Sequence, residues 1–219
     1  MGLDLDEFLS SLPEELEPIS GLALRLLSDG VDVKADAIAV SHRPHVAPHS
    51  YALRLYAPLP FNAISKYEQT RGITISPHYL PIIKKLNGTH AFEFSLYGIP
   101  PSMASDLPLL DRSVAQPYDI GTANRFWKLE YSVPQEWFHF GGGPYSYDEN
   151  IGYFFDPEGK ILASRKNGEV LRNWTSFKNF LSDEIAMAEK KYPEHEAFMS
   201  QLIQGAQKKN PWWKRIFMK

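Results

Sequence analysis

The chain of 219 residues contains no cysteine. Disulfide bonds, a thiolate nucleophile and cysteine-ligated zinc are therefore excluded, and the composition suits a reducing compartment. The sequence also lacks an apolar run of about 18 residues, the length at which a membrane-spanning helix is expected. Its first 20 residues carry no lysine or arginine of the kind that opens a signal peptide. We therefore expect a cytoplasmic protein.

Positive charge is absent from one end of the chain and negative charge from the other. Residues 1–20 hold six acids and no base, whereas residues 205–219 hold five bases and no acid. The segment between them keeps 18 of the 23 basic and 20 of the 26 acidic residues, so the body of the protein is nearly neutral. A nucleic-acid-binding surface needs a basic excess, and we expect no nucleic-acid partner.

Signals for helices and strands follow one another without regular alternation. Apolar spacing and punctuation by Gly, Pro and Asn predict helices near 4–12, 19–27, 62–69, 76–87 and 117–128 and from 177 onward. Strands are predicted at 51–56, 91–98, 137–140, 151–155 and 160–164. Because the strand–helix repeat of a parallel sheet is missing, this order indicates an α+β fold with a largely antiparallel or mixed sheet and packed helices.

Capping residues mark the expected helix ends. Asp4 is placed to cap the first helix and Asn62 to cap the third, which Gly72 should end. Pro81 is harder to place, because in a helix that begins at Pro77 it would remove one backbone hydrogen bond.

The stretch FHFGGGPYSYDENIGYFFDPEG, residues 138–159, places three glycines between an aromatic run and a cluster of acids. A phosphate-binding loop ends in Gly-Lys-Ser/Thr at a helix, and a dinucleotide loop has the spacing Gly-x-Gly-x-x-Gly after a strand; this stretch has neither. We interpret the glycines as residues that let the chain leave one strand and approach its neighbour closely.

Four acids in this stretch are the candidates for catalysis. Asp148, Glu149, Asp156 and Glu158 would include a glycosidase pair only if two of them stood at the right separation in space. The other interpretation is that they are solvated acids of a loop tip and of an Asp-Pro-Glu-Gly turn. We favour the second interpretation and predict no catalytic residue and no cofactor.

Four histidines are candidates for metal binding or proton transfer. The spacing of His42, His45 and His49 is compatible with metal ligands, but two prolines interrupt the segment, which favours a solvated linker and no metal. His139 alternates with two phenylalanines, which predicts a satisfied structural residue on one face of a strand. The sequence contains no Gly-x-Ser-x-Gly elbow of a serine hydrolase.

The order of short motifs between residues 61 and 185 resembles that of the SUKH superfamily. These motifs are a helix closed by Asn-Gly, a Phe-Gly step into a strand hairpin and a Ser-Phe-x-x-Phe-Leu helix. The matching positions are Pro77, Tyr79, Asn87, Gly88, Phe140, Gly141, Ser176, Phe177, Phe180 and Leu181. We therefore divide the chain into an N-terminal extension of helices and a strand (1–60), a SUKH-like domain (61–190) and a C-terminal helix with a basic aromatic tail (191–219).

The resemblance has implications for function, because the superfamily includes fungal Smi/Knr-type cell-wall regulators and many bacterial immunity proteins. It implies a non-enzymatic scaffold with one protein partner, and we expect an immunity protein that neutralises a toxin effector domain. Tyrosines anchor interfaces and carboxylates suit basic surfaces, so the expected partner-binding residues are Tyr145, Tyr147, Asp148 and Glu149. The alternative is an intracellular enzyme that acts on a sugar or nucleotide through the acids at 148–158.

The tail KKNPWWKRIFMK places apolar side chains at helical spacing beside basic ones. The apolar residues are Trp212, Trp213, Ile216 and Phe217. We favour packing of this tail on its own domain, near the acidic N-terminal helix. Peripheral contact with an anionic membrane is the alternative.

Overall fold

The computed structural model describes residues 4–34, 36–47, 49–101, 112, 114–146 and 149–209, without the side chains of 145–146, 195–196 and 198–209. The α-helices in these ranges include Leu5–Ser10 (α1), Glu17–Leu26 (α2), Phe61–Arg71 (α3), Leu80–Ile83 (α4), Ile120–Arg125 (α5) and Phe177–Lys209 (α6). Short 3-10 turns occupy Glu14–Leu16, Leu27–Asp29 and Trp127–Glu130.

One antiparallel sheet runs through the structure. The nine strands that the described residues form are Val31–Lys34 (β1), Ala37–His42 (β2), Tyr51–Tyr56 (β3), Thr89–Ala91 (β4), Phe94–Leu96 (β5), Phe138–Ser146 (β6), Glu149–Phe155 (β7), Ile161–Ser164 (β8) and Val170–Trp174 (β9). Their order in the sheet is their order in the sequence, and each neighbouring pair is antiparallel. The predicted α+β class is therefore confirmed.

Helices α2 and α6 pack on one face of the sheet, where the main core lies. Phe177 and Phe180 of α6 pack on Phe140 of β6, with ring centroids 6.0 and 5.5 Å apart. Leu22 of α2 is fully buried in the same core. Because burying a large apolar side chain contributes about 1.5–3 kcal/mol, this face holds much of the stability of the fold.

The opposite face of the sheet is more polar. His90 of β4, Ser95 of β5 and His139 of β6 alternate with core residues along their strands and are buried on this second face. Helix α5 and the turn Trp127–Glu130 contact each other beside it, and α5 packs on β6. This second layer frames the candidate site.

A buried ion pair joins the core face to α6. The Glu184 carboxylate accepts a hydrogen bond from the Tyr153 hydroxyl at 2.5 Å and lies 2.8 Å from Nη1 of Arg172. Burial raises the pKa of Glu184, and the bonds from Tyr153 and Arg172 oppose that rise. The pair ties α6 to β7 and β9.

Two of the predicted helix ends are confirmed and one is wrong. The Asp4 side chain accepts a hydrogen bond from the Glu7 amide at 3.0 Å and so caps α1. Gly72 ends α3 in the left-handed conformation, with φ 61°. Asn62 does not cap α3, because the helix already begins at Phe61, directly after proline 60.

Pro81 is accommodated by a later helix start. Residues 77–79 form a turn, and the helix predicted from residue 76 is reduced to α4. Pro81 then lies in the first helical turn, where a backbone N–H has no partner within the helix in any case. The proline therefore costs no helical hydrogen bond.

The single strand predicted at 91–98 is two strands. β4 ends at Ala91 and β5 begins at Phe94, and the turn between them holds Phe92 at φ 56°. A positive φ is unusual for phenylalanine. The Phe92 ring packs on Tyr192 of α6, with centroids 4.7 Å apart. This contact between segments far apart in sequence accompanies the reversal.

The sheet crosses the predicted boundary at residue 60, and helix α6 crosses the predicted boundary at residue 190. Strands β1–β3, which precede residue 60, pair with each other, and β3 pairs with β4 of the next segment. Residue 190 falls inside α6. The division into an extension, a SUKH-like domain and a tail stays a prediction about sequence relationships, while the strands on both sides of residue 60 form one sheet.

The basic aromatic tail at 210–219, with Trp212, Trp213, Ile216 and Phe217, lies outside the described residues. The predictions about its docking and its membrane contact stay predictions. Among the helices of the described ranges, none is long and apolar enough to cross a membrane.

Candidate functional site

An open cleft of about 460 Å³ lies on the second face of the sheet. Strands β5, β6 and β7 supply its floor, and the segment 118–131 supplies an aromatic wall. Its lining residues are Glu93, Ser95, Tyr97, Tyr118, Trp127, Glu130, Tyr131, His139, Gly142, Gly143, Pro144, Asn150, Ile151 and Lys166. A cleft of this volume has the size of a ligand or peptide-anchor site.

Of the three glycines at 141–143, Gly142 and Gly143 line this floor and Gly141 directly precedes them. They lie inside β6, so the prediction that they let the chain leave a strand is wrong. The predicted close approach is confirmed: a Cβ on Gly141 would stand 2.6 Å from the Ser95 carbonyl oxygen, and one on Gly142 would stand 2.5 Å from the Tyr97 hydroxyl. The glycines therefore make room for β5 and for the ring that crosses the floor.

The aromatic wall is a set of rings packed edge to face. Trp127 meets Tyr97 with centroids 5.3 Å apart at 74°, and meets Tyr118 at 5.9 Å and 85°. Edge-to-face contacts of this kind add about 0.5–1.5 kcal/mol each. The wall is thus a fixed surface of ring faces and edges.

Hydrogen bonds hold the wall against the sheet. Asp119 caps α5 by accepting a bond from the Gly121 amide at 2.8 Å, and it also accepts one from the Tyr67 hydroxyl. Further along α5, the Asn124 side chain donates to the His139 carbonyl at 2.8 Å and accepts from the His139 amide at 2.9 Å. The amide of Asn124 therefore fixes β6 beside the wall.

His139 is the most deeply buried polar side chain of the cleft, with 1% of its surface exposed. Its ring stacks on Phe154 at 4.5 Å and meets Tyr97 and Tyr131 edge to face. Neither ring nitrogen has a well-formed hydrogen bond to a described residue. Burial lowers the pKa of His139 to about 4, although backbone groups near the ring act in the opposite direction. The ring is neutral at pH 7.

Ser95 of the cleft floor contacts a histidine that does not itself line the cleft. Nδ1 of His90 and the Ser95 hydroxyl are hydrogen-bonded at 2.6 Å across β4 and β5. The Tyr118 ring covers His90 at 4.4 Å. Burial, with the Arg54 charge in support, lowers the pKa of His90 well below its ordinary value, so the imidazole is a weak base. The pair resembles a buried histidine satisfied by its cross-strand neighbour more than an activated serine.

Charged residues stand at the rim of the cleft. Glu93, Glu130 and Lys166 line it, and Nζ of Lys166 lies 2.6 Å from the Glu130 carboxylate. Burial and, to a smaller extent, the carboxylates of Glu130 and Glu149 raise the pKa of Tyr131 to about 12. The two carboxylates therefore make the electrostatic potential at the Tyr131 hydroxyl more negative.

Two residues that flank the predicted partner-binding stretch in sequence line the cleft. They are Pro144 and Asn150, which flank the tip of the β6–β7 hairpin. Glu149 is half-buried at the start of β7, and Nε of Arg165 lies 3.2 Å from its carboxylate, so Glu149 is not freely displayed. Tyr147 and Asp148 lie outside the described residues, as does the side chain of Tyr145.

The described acids among the catalytic candidates lie at opposite ends of β7, Glu149 at its start and Asp156 and Glu158 after its end. Asp156 accepts a hydrogen bond from the Lys160 amide at 2.7 Å, and Glu158 is exposed in the same turn before β8. Glu149 begins the seven-residue strand β7. The rise per strand residue places its carboxyl group roughly 20 Å from that turn, farther apart than a glycosidase pair stands.

The three histidines considered for metal binding lie at the end of β2 and in the loop before β3. His42 ends β2 and packs on the Tyr51 ring at 4.8 Å, while His45 and His49 belong to the loop. Over the ranges that the structure describes, no three His, Asp or Glu side chains are grouped to hold a metal ion.

Comparison of the chain with protein-family models, curated proteins and solved structures finds no match. The resemblance to the SUKH superfamily stays a prediction. What the structure defines is an α+β protein with an aromatic cleft on the second face of an antiparallel sheet.

Most of the cleft was missed in the sequence. His139 was predicted as a satisfied structural residue, and Tyr97, Tyr118 and Trp127 were not singled out. The high aromatic density between residues 118 and 139 was the available signal. It does not by itself say that those rings face one cleft, because that depends on contacts with β5 and β6.

Proposed function

We propose that the protein is a non-enzymatic protein-binding module whose partner surface is the cleft and the apolar side chains beside it. The observation that carries this proposal is a group of large apolar side chains in one segment next to the cleft. Leu129 is 67% exposed, Phe126 58% and Tyr118 51%. Exposed aromatic and aliphatic side chains beside a concave surface are typical of protein interfaces.

The resemblance to SUKH proteins supports a partner class. It favours an immunity protein of bacterial type that neutralises a toxin effector domain. Pro144 and Asn150 line the cleft and flank in sequence the expected partner-binding residues Tyr145, Tyr147, Asp148 and Glu149. On this proposal, the stretch and the cleft contribute to one partner surface.

Two buried histidines favour binding over catalysis: His139, which lines the cleft, and His90, which lies against Ser95 of its floor. His139 and His90 are both held neutral by burial, with pKa values lowered to about 4 and well below the ordinary value, respectively. A general base works best with a pKa near the working pH. These imidazoles would accept a proton poorly at pH 7.

The proposal predicts that an apolar-to-charged change beside the cleft weakens partner binding. The double variant Phe126→Asp with Leu129→Asp should weaken binding at least tenfold, about 1.4 kcal/mol, because it places charges in a desolvated interface. The control is Leu24→Asp on α2, since Leu24 is equally exposed and belongs to the other face. Partners captured from a lysate of the encoding organism would be purified, and their binding measured by calorimetry.

Two results would count against this function. One is equal binding by the double variant and the wild type while the Leu24→Asp protein also binds normally. The other is turnover on glycoside, phosphoester or peptide substrates that disappears with Asp148→Asn or Glu149→Gln, which would favour the enzyme alternative.

A further inference from the structure

The charged residues that line the cleft favour a cationic guest. Two of them are carboxylates, Glu93 and Glu130, and the third is Lys166. The Lys166 ammonium pairs with Glu130 at 2.6 Å, and both side chains are more than half exposed. The neighbouring cation Lys128 donates hydrogen bonds to the carbonyl groups of Gln135 and Trp137, at 2.7 and 3.1 Å, and does not line the cleft.

The wall of the cleft is also suited to a cation. Tyr118, Trp127 and Tyr131 present aromatic rings next to those carboxylates. A cation within about 6 Å of such a ring is attracted by its negative face, most strongly for tryptophan. His139 behind the wall is neutral at pH 7 and adds no repelling charge.

We propose that this cleft receives a positively charged side chain, arginine in particular. The guest would lie with the aromatic wall of Tyr118 and Trp127 on one side and the carboxylates of Glu93 and Glu130 on the other. A guanidinium is planar, stacks on aromatic rings and binds a carboxylate through two parallel hydrogen bonds, which an ammonium does not. The inference rests on the proposed function, since the arginine would belong to the protein partner.

Lys166 has a defined place in this inference. Its ammonium forms an ion pair with the Glu130 carboxylate, so an incoming guanidinium would compete with Lys166 for that carboxylate. Removing the Lys166 charge should therefore strengthen binding of the cation, whereas removing the Glu130 charge should weaken it. Opposite signs from two partners of one ion pair distinguish a cation site from a general loss of structure.

The test titrates the full chain with N-acetyl-arginine amide and, in parallel, with N-acetyl-citrulline amide, its neutral isostere. Binding is followed by amide and indole chemical shifts in NMR spectra. We expect millimolar binding of the arginine probe, with shifts at the Trp127 indole and the Gly142 amide. The citrulline probe should bind at least about fivefold more weakly, because it keeps the shape and loses the charge.

Four variants sharpen the test. Glu130→Gln and Tyr118→Leu should each lower the affinity for the arginine probe about two- to fivefold. Lys166→Gln should raise that affinity about twofold or more. Glu169→Gln is the matched control, since Glu169 pairs with Arg165 in an exposed turn, does not line the cleft and should leave the affinity unchanged. If Glu130→Gln perturbs the fold, Glu93→Gln replaces it.

The inference is wrong if both probes bind equally or if Lys166→Gln weakens binding of the arginine probe. It is also wrong if the arginine probe causes no chemical-shift change at about 100 mM, a concentration that detects even very weak binding. These failures leave the proposed function standing whenever the Phe126/Leu129 double variant still loses its protein partner. Conversely, arginine binding together with an unaffected partner interaction would keep the cation site and reject the proposed function.

Discussion

At the residue scale, the surroundings of His139 set the protonation state of its ring. It lies between Phe154, Tyr97 and Tyr131, and neither ring nitrogen has a well-formed hydrogen bond to a described residue. Burial among these rings therefore disfavours the imidazolium form. The strand position predicted for His139 is confirmed. Its protonation should be coupled to unfolding.

The change His139→Phe should reduce the acid sensitivity of the protein. The folded pKa of about 4 lies below the ordinary 6.5, so the unfolded chain binds more protons between these values and stability falls as pH drops from 6.5 to 4. The difference in unfolding free energy between wild type and variant should therefore fall by about 3 kcal/mol over that window. Urea unfolding at pH 7, 5.5 and 4 measures it.

A histidine elsewhere gives the control for this measurement. His45 is exposed in the loop before β3, and the pH profile of His45→Gln is the reference for removal of a histidine outside the cleft. Equal pH profiles for His139→Phe and wild type would show that the ring titrates normally and that the cleft is open to water at this point.

At the scale of elements, α2 and β6 respond to added methyl groups in opposite ways. In α2, a Cβ on Gly21 would have only the Arg25 side chain within 4 Å, at 3.6 Å, so Gly21→Ala should stabilise by about 0.5–1 kcal/mol. In β6, a Cβ on Gly142 would stand 2.5 Å from the Tyr97 hydroxyl and 3.1 Å from the Ile151 carbonyl oxygen. Gly142→Ala should destabilise by about 1–3 kcal/mol, because the strand and the ring must move apart.

Thermal and urea unfolding of the two alanine variants test this contrast. The midpoint should rise for Gly21→Ala and fall for Gly142→Ala. A Gly142→Ala protein as stable as wild type would mean that Tyr97 swings away freely, in which case the aromatic wall would not be a fixed surface.

At the scale of the whole molecule, residues 1–60 belong to the shared core. Ile19 and Leu22 of α2, together with Val40 of β2 and Leu53 of β3, are fully buried in the same cluster as Phe140 of β6. A fragment that begins at residue 61 would lose these contacts and leave the three-residue strand β4 at the sheet edge. Such a fragment should lack a cooperative thermal transition and native near-ultraviolet dichroism.

The full chain is the reference for that experiment and should unfold in one transition by both fluorescence and circular dichroism. Cooperative unfolding of the 61–219 fragment would instead establish the boundary at residue 60 as a folding boundary. The N-terminal helices also pair with α6: Lys178 lies 3.2 Å from Glu14, and Arg25 lies 3.0 Å from Glu189. Glu14, near the N-terminus, thus has a basic partner in α6.

The sequence by itself determined the features that depend on neighbours a few residues apart. The α+β class, the Asp4 cap, the Gly72 stop and the strand at Tyr51–Tyr56 all follow from local hydrogen bonds and side-chain periodicity. The absence of cysteine chemistry follows from composition alone. Such signals are complete within a short window of the chain.

Only the tertiary structure decided where the cleft lies and what it contains. Ser95, Trp127, His139 and Asn150 come from four separate segments, and their meeting depends on the pairing of β5, β6 and β7 and on the docking of the segment 118–131. The split of the predicted strand at Phe92 and the neutral state of His139 have the same origin. Burial and ring packing sum over residues far apart in sequence, so local patterns do not contain them.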